Sequence, residues 1–249
     1  MSTFATTSRY ALGASFIDPV SGLWFVADSP ASNPEAWKAY LDGAEEAYTS
    51  FGVECVLDRP GLEDGGTVSL FWRALTLDGN IVAGVRCHGP INDDSEIYAF
   101  KELAGHPRLD EFRWTVWARR QLGAIEAKGG WVSIHRTPTT GISAALARCT
   151  IHSLDWFGVR YAFGTSSTHS MRVWGSVGCR PMEGYEPVPY PDARYATVPI
   201  WWDRHRTASR ATGKQARLIA AEAEQLTQST ATIRANDDAV AGATIAESR

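Results

Sequence analysis

The segment from Trp131 to Pro181 places the tightest limit on what this chain can fold into. It predicts, in order, a strand, a short Thr/Gly loop, an amphipathic helix, a second strand and a short helix that ends at Gly178. A helix that begins directly after a loop offers free backbone N–H groups and the positive end of its dipole. Such a helix start binds anions readily. The segment therefore predicts a strand–loop–helix unit that holds a phosphate.

The predicted first strand covers Trp131–His135, where neighbouring side chains alternate between two environments. Pro138 stops this strand because a proline has no N–H to donate to a sheet. Gly141 then permits a close approach between the backbone and a ligand. The candidate caps of the following helix are Thr139, Thr140 and Ser143.

A phosphate placed before Ile142 would meet the free N–H groups of the helix start and the side chain of Arg136. The alternative is a capped helix start with no ligand, since strand–loop–helix units are common. The residues that we expect to bind the donor are Ser133, Ile134, Arg136, Thr139, Thr140, Gly141, Ile142 and Ser143.

The rest of the chain predicts strands interleaved with helices. Asn33 or Ser32 caps a helix that begins at Pro34 and ends near Gly52. The Asp78-Gly79 pair predicts a hairpin turn. The other predicted elements are strands at Leu23–Ala27, Thr67–Leu77, Ile81–Cys87, Tyr161–Thr165, Glu186–Tyr190 and Ala196–Trp202, and helices at Glu111–Lys128 and His169–Val177.

This order predicts an α/β fold with a mixed sheet of about six or seven strands, covered by helices on both faces. Residues 1–20 are Ser/Thr-rich at their start and are expected to be a flexible N-terminus, and residues 21–206 are expected to form the domain. Residues 207–249 form an Ala-rich extension in which Ala208–Leu226 predicts a helix. Such a helix lies on the domain, packs on another chain or frays, so a homodimer stays open.

The composition argues against several classes of function. The formal net charge of −4 and the scattered basic residues give no reason to expect a nucleic-acid partner or a membrane surface. No stretch approaches the roughly 20 apolar residues of a membrane span, and the N-terminus lacks a secretory pattern, so we expect a cytoplasmic protein. The four cysteines and six histidines are too dispersed for a local metal motif, and no metal is expected.

The order of elements from Leu23 to Asp203 resembles the GNAT superfamily of acyl-CoA N-acyltransferases. Pro138-Thr-Thr-Gly141-Ile-Ser143 is similar to its R/Q-x-x-G-x-G/A loop, and Trp174-Gly-Ser-Val-Gly178-Cys179 to its later Y-x-x-x-G-F/W signature. The resemblance implies two parallel strands that separate beyond Trp131–His135 and Tyr161–Thr165, with a pantetheine arm added between them. It implies acyl-CoA, or an acyl-carrier protein, as a co-substrate and no permanently bound cofactor.

Trp174 replaces the tyrosine that protonates the leaving thiolate in many members of that superfamily. Since an indole N–H does not give up a proton at useful pH, protonation would come from water, from His169 or from another group. Trp174 is then expected to contact substrate.

Within this superfamily, two segments are similar to acyl-homoserine-lactone synthases and long-chain N-acyl amino acid synthases. The strand that ends at Arg86 resembles a G-x-x-x-G-x-x-R strand, and Asp110-Glu111-Phe112-Arg113 resembles an E-x-x-R-F-x-V segment. The resemblance implies that Arg86 and Arg113 clamp a substrate carboxylate. The alternative is a surface ion pair on an exposed helix.

The sequence thus predicts an N-acyltransferase that moves an acyl group from a thioester to the amine of a small molecule. The candidate bases for the amine proton are Glu111, Asp110 and His135. A GNAT-like domain that binds an acyl carrier or a protein partner without transferring the acyl group is the alternative.

Overall fold

The computed structural model describes residues 8–135 and 141–247, with side chains up to residue 241. The described strands are β1 (Ser15–Ile17), β2 (Trp24–Asp28), β3 (Val68–Leu75), β4 (Ile81–His88), β5 (Ala124–Val132), β6 (Tyr161–Ser167), β7 (Arg180–Pro181), β8 (Val188–Pro189) and β9 (Ala196–Asp203). The α-helices are α1 (Pro34–Ser50), α2 (Arg59–Leu62), α3 (Ala99–Glu102), α4 (Leu109–Arg120), α5 (Ile142–Phe157), α6 (Met171–Ser176), α7 (Thr207–Arg210) and α8 (Gly213–Glu247).

The described strands form one mixed sheet of nine, in the order β1-β2-β3-β4-β5-β6-β9-β7, with β8 also paired to β9. Within the described part of the chain, β5 and β6 form a parallel pair and the other pairs are antiparallel. The predicted α/β fold with a mixed sheet is confirmed. The sheet exceeds the expected six or seven strands because β1 and β7 are only three and two residues long and lack a clear sequence pattern. Strand β8 lies within the predicted strand Glu186–Tyr190.

Local signals account for the elements that the sequence predicts well. The Asn33 side chain accepts a hydrogen bond from the N–H of Ala36 at 3.1 Å, which caps α1 where Pro34 begins it. The hairpin around Asp78-Gly79 joins β3 to β4. Helix α5 begins at Ile142 and ends before Gly158, whose positive φ of 64° terminates it.

The predicted helix over Glu111–Lys128 is wrong in its second half. Helix α4 ends at Arg120, the chain turns at Gly123 with a φ of 78°, and β5 begins at Ala124. The sequence pattern did not indicate this strand, because Glu126 and Lys128 place charged side chains at buried positions in the sheet. Strand β5 is therefore the expected Trp131–His135 strand extended backwards and ending at Val132.

Helices cover both faces of the sheet, as expected. Trp72 and Ile125 pack with α5 and with Leu226 of α8 in one core cluster. Their neighbours along the strands point to the opposite face: Phe71 packs with α1 in a second cluster. Ala124 packs with α3 and α4 in a third. This alternation is the period of two that a sheet with both faces buried requires.

Residues 8–20, which fall within the expected flexible N-terminus, pack against the domain. Tyr10, Ala14 and Phe16 are buried in the core, and β1 pairs with β2. The Phe16 ring stacks on Phe25 at a centroid distance of 5.1 Å. These contacts join residues far apart in the chain, so the local Ser/Thr content gave no indication of them.

The C-terminal helix α8 lies on the domain and is longer than the predicted Ala208–Leu226. Arg148 of α5 donates to Glu222 of α8 at 2.7 Å, to Gln215 at 2.7 Å and to Asp18 at 2.6 Å. The imidazole of His152 lies 2.9 Å from Glu222. All of these side chains are buried, and together they fix α8 to α5. None of the described helices is long and apolar enough to cross a membrane.

Candidate active site

A cleft opens where β5 and β6 separate. The two strands pair only over Ala124–Glu126 and Tyr161–Phe163. Beyond these residues β5 continues against β4, whereas β6 continues against β9. A cavity of about 260 Å³ lies at this point, and it is lined by residues of β5, β6 and α6 and by the loop before β9. The implied separation of two parallel strands is therefore present, although it begins at Glu126 and not after His135.

A β-bulge shapes the wall of this cleft. Gly84 pairs with Trp131, but Arg86 pairs with Lys128, so β5 has one residue more than β4 between these pairs. Gly129 adopts a positive φ of 61°, and its carbonyl accepts a hydrogen bond from the Tyr40 hydroxyl at 2.6 Å. A Cβ atom at position 129 would lie 1.9 Å from Nη1 of Arg86. Glycine at this position therefore makes room for the guanidinium.

Arg86 is the more deeply buried of the two described cations that line the cleft, Arg86 and Lys128, with a residue exposure of only 1%. Its Nε donates to Nε2 of His88 at 3.2 Å. The guanidinium also lies beside the Tyr40 hydroxyl, but its Nη1 makes no hydrogen bond of normal geometry among the described residues. Burial, together with the positive charges of Arg86 and Lys128, lowers the pKa of His88 far below its usual range. His88 is therefore neutral and accepts from Arg86. The free Nη1 suits the carboxylate of a bound molecule.

Glu102 of α3 connects the two separating strands. Lys128 of β5 and Thr165 of β6 both donate to its carboxylate. Among the described residues that line the cleft, Glu102 is the carboxylate. The three side chains therefore form a bridge across the mouth of the parallel pair, which we call the Glu102 bridge.

Tyr190 lies beside the Glu102 bridge and lines the cleft. Burial, reinforced by the negative charge of Glu102, raises the pKa of Tyr190. Its phenol is therefore protonated at neutral pH and is available as a hydrogen-bond donor. Glu102 and Tyr190 also line a neighbouring cavity of about 570 Å³, which extends along His106 and Pro187.

Glu126 lies below the cleft in the core. It is fully buried and accepts hydrogen bonds from the backbone N–H groups of Tyr98 at 2.8 Å and Ala99 at 2.7 Å, at the start of α3. Burial raises the pKa of Glu126 to about 7 despite these two donors and the nearby Lys128 ammonium. The residue ties α3, and with it Glu102, to the sheet.

Trp174 and a pair of polar side chains form the far wall. The ring of Trp174 meets Trp202 edge to face at 5.6 Å, lies beside Gly130 and lines the cleft. Its contact with substrate stays a prediction. Ser167 lines the cleft, and its hydroxyl lies 2.9 Å from Nδ1 of His169. His169 thus reaches the cleft through Ser167.

The other predicted catalytic and clamping residues lie away from the cleft. On α4, Glu111 pairs with Arg108 and Asp110 with Arg113, both at the surface. Arg113 stacks over Phe100 at 5.4 Å, and none of these α4 residues is among those that line the cleft. Helix α4 buries Phe112 and Val116 against the sheet, which turns residues 110, 111 and 113 outward. The implied clamp between Arg86 and Arg113 is therefore absent.

His135 is also exposed, and its Nε2 lies 2.8 Å from Glu46 of α1. It does not line the cleft.

The structure describes only part of the predicted donor site. Ser133 donates its N–H to Val82 at 2.8 Å, and Ile134 is exposed. Gly141, Ile142 and Ser143 open α5, and no described side chain caps this helix start. Arg136, Pro138, Thr139 and Thr140 lie outside the described residues.

Gly141 has a φ of 103°, and a Cβ atom there would lie 2.7 Å from the Val20 side chain. Any side chain at position 141 would therefore strain the fold. The described residues contain no cluster of potential metal ligands.

Two mycobacterial proteins are similar to this chain over most of its length. The uncharacterised protein Rv1356c of Mycobacterium tuberculosis H37Rv is 36% identical over 218 residues, which cover 88% of this chain and 83% of that protein. The uncharacterised protein Mb1391c of Mycobacterium bovis matches to the same extent. The chain belongs to their family. No family model matches the sequence.

Solved structures with this fold include two enzymes. The N-acyl amino acid synthase FeeM from uncultured soil microbes superposes with a TM-score of 0.57 at 11% identity, over 78% of this chain and 98% of FeeM. The CoA-dependent acyl-homoserine lactone synthase BjaI, determined with SAM and isopentyl-CoA, gives 0.52 at 13% identity, over 80% of this chain and 88% of BjaI. The protein has the GNAT fold, which confirms the resemblance drawn from the sequence.

The site predicted from the sequence does not include Glu102, Lys128, Thr165 or Tyr190, which all line the cleft. One feature of the sequence could have indicated Lys128. Glu126 and Lys128 stand two residues apart in a segment otherwise composed of small and apolar residues, Ala124–Val132. That spacing places both charges on one face of a strand, where buried charges need partners.

Proposed function

We propose that this protein is an N-acyltransferase, which moves an acyl group from a CoA thioester to the amine of a small molecule that also carries a carboxylate. The observation that carries the proposal is the cleft between β5 and β6, with Arg86, Glu102 and Tyr190 in its wall. The shared fold with FeeM and BjaI supports it, because the first is an N-acyl amino acid synthase and the second depends on CoA.

The acyl donor would extend along β5 beyond Glu126, where that strand no longer pairs with β6. A pantetheine arm can pair there with the strand edge as an additional strand does. Backbone N–H groups at the bulge around Gly129 would polarise the thioester carbonyl. The diphosphate of CoA would bind at the start of α5, beside Ser143.

The acceptor would bind with its carboxylate on Nη1 of Arg86 and its amine facing the thioester. Holding both groups in one cleft supplies most of the rate gain. The amine nitrogen attacks the carbonyl carbon, its proton passes to the Glu102 carboxylate, and the C–S bond breaks. The leaving thiolate then takes a proton from the Tyr190 hydroxyl as that hydroxyl receives the proton held by Glu102, so no free phenolate forms and Tyr190 assumes the role that Trp174 cannot fill.

Thiol release tests the catalytic proposal. The purified protein is incubated with acyl-CoA esters of increasing chain length and a panel of amino acids, and free CoA is measured with a thiol reagent. We expect release that requires both substrates. The same panel with acyl-carrier protein thioesters identifies which carrier serves as donor.

If acyl-CoA raises the melting temperature but no amine in the panel releases thiol, the domain that binds without catalysis is supported instead. If neither CoA nor acyl-carrier protein binds, both functions are refuted.

The donor site is tested at Ser143, since a substitution at Gly141 would disturb the fold. Ser143→Asp places a negative charge in the first turn of α5, which stabilises the helix by about 0.3–1 kcal/mol but repels a diphosphate. We expect CoA affinity to fall at least tenfold. Ser143→Asn is the control, because asparagine has nearly the size of aspartate but no charge. Equal CoA affinity in the two variants would contradict this assignment.

A further inference from the structure

A second concave surface lies at the opposite end of β6. It is a groove of about 810 Å³ between α4, β7, the end of β9 and α7. Five arginines line it: Arg119, Arg160, Arg180, Arg206 and Arg210. We call this surface the arginine groove. Its lining includes only two carboxylates, those of Glu183 and Asp203.

Most of these positive charges are not neutralised by the protein. Arg160 pairs with Asp203 at 3.2 Å, and Arg180 donates to a backbone carbonyl. Among the described residues, Arg206 and Arg210 have no hydrogen-bond or ion-pair partner through their side chains. The chain as a whole carries a formal net charge of −4, so the groove is a positively charged region of a negatively charged protein.

Arg119 packs against two aromatic rings at the arginine groove. Its guanidinium lies 4.1 Å above the ring of Trp201 and 5.3 Å from that of Tyr161. Burial lowers the pKa of Arg119; Tyr161 and Asp203 oppose this shift, and the positive charges of Arg210 and Arg160 add to it. A bound anion would compensate the positive charges that line this groove.

The arginine groove is separate from the cleft. Tyr161 lies in the groove and Thr165 in the cleft, four residues further along β6. At about 3.3 Å per residue these positions are about 13 Å apart. A ligand in the groove would therefore not occupy the path of the acyl donor.

We propose that the arginine groove binds a small molecule with two or more phosphate groups. Guanidinium groups match phosphate oxygens with paired hydrogen bonds, and several arginines around one concave surface suit several phosphates at once. Arg206 and Arg210 supply the donors that the protein leaves free. The Trp201 ring is covered by Arg119, so recognition rests on charge and not on stacking with a base.

Calorimetric titration with inorganic pyrophosphate tests this inference. Ionic strength is held constant with sodium chloride, and saturating CoA is present to occupy the donor site. We expect pyrophosphate to bind at least tenfold more tightly than orthophosphate. Citrate, as a compact tricarboxylate, distinguishes a requirement for phosphate from a requirement for negative charge, and citrate binding as tightly as pyrophosphate would refute the phosphate assignment.

The double variant Arg206→Gln/Arg210→Gln should weaken pyrophosphate binding at least 30-fold. Arg206→Gln alone should weaken pyrophosphate binding severalfold. Because position 206 is exposed, this single variant tests the proposal even if the double variant misfolds. Arg234→Gln, on the exposed side of α8 and outside the groove, is the matched control and should bind normally. Unchanged binding in the double variant, or a heat signal equal to that of added chloride, would overturn the proposal.

The same variants should bind CoA as the unaltered protein does. A protein that binds neither CoA nor acyl-carrier protein but retains pyrophosphate binding would refute the acyltransferase proposal and support the arginine groove. The two proposals therefore fail separately.

Discussion

Replacing Arg86 with methionine separates a binding role from a structural one. The side chain keeps a similar length but loses its charge and its hydrogen-bond donors. If the acceptor carboxylate binds Nη1, removing this buried charged partner should weaken transition-state binding by about 2–5 kcal/mol. At 1.4 kcal/mol per tenfold, kcat/KM for a carboxylated amine should fall about 30- to 4000-fold.

The same substitution should leave stability unchanged or increase it. In the free protein the buried Nη1 of Arg86 makes no hydrogen bond of normal geometry among the described residues, and leaving such a donor unsatisfied costs about 1–3 kcal/mol. Loss of the 3.2 Å hydrogen bond to His88 offsets about 1 kcal/mol of that gain. Urea unfolding of the two proteins, compared at equal m-value, measures the net change in the free energy of unfolding.

The decisive assay compares an amino acid with its decarboxylated amine as acceptors. The unaltered protein should prefer the amino acid, and Arg86→Met should lose most of that preference. Arg113→Met is the matched control, because Arg113 is the other arginine that the sequence resemblance assigns to the carboxylate and lies on the surface of α4. A preference retained by Arg86→Met, or lost in Arg113→Met, would refute the role of Arg86.

Three further predictions concern the core, the tail and the cleft. Raising the pKa of Glu126 from its ordinary 4.5 to about 7 means that stability falls as pH rises between these values, by about 3 kcal/mol in all. Urea unfolding across that range should show the slope in the unaltered protein and not in Glu126→Gln; a pH-independent difference between the two would contradict it. Glu222→Ala removes the carboxylate shared by Arg148 and His152, while Arg148 keeps Asp18, and should destabilise the fold by about 1–3 kcal/mol. The exposed control Glu224→Ala should change it by at most about 0.5 kcal/mol in thermal unfolding. Tyr190→Phe should lower kcat about 100-fold with little change in KM, while Tyr195→Phe, in the same cleft, should not; equal kcat values in both variants would remove Tyr190 from the mechanism.

Glu222 also shows why the Ala-rich tail is part of the folded domain. Helix α8 has few large apolar residues. It is attached by the buried ionic cluster with Arg148, by Leu226 in the core and by hydrogen bonds that its polar side chains accept from the backbone N–H groups of Ala11, Ser15 and Ile17. Sequence patterns weigh apolar periodicity, so a helix held mainly by polar and charged contacts resembles a solvated one.

The sequence revealed only part of the cleft, because some of its residues come together only in the folded chain. Arg86 was identified from its motif, and Trp174 from the glycine-terminated helix that carries it. Glu102 and Tyr190 were not, because they are 88 residues apart in the chain and have no shared spacing. Only the packing of α3 and of the loop before β9 against the separating strands brings them together.

The sequence by itself determined the elements whose causes are local: the Asn33 cap and Pro34 that begin α1, the Asp78-Gly79 turn, and the glycine-bounded helix α5. Together with the order of strands and helices, these were enough to predict the fold. The tertiary structure decided which charges are buried. Arg86 and Arg113 are the same residue type in comparable motifs, but one lies behind the Gly129 bulge and the other on the outer face of α4. That difference arises from contacts between distant segments, since burial and partners are properties of the packed chain and not of a residue's neighbours in sequence.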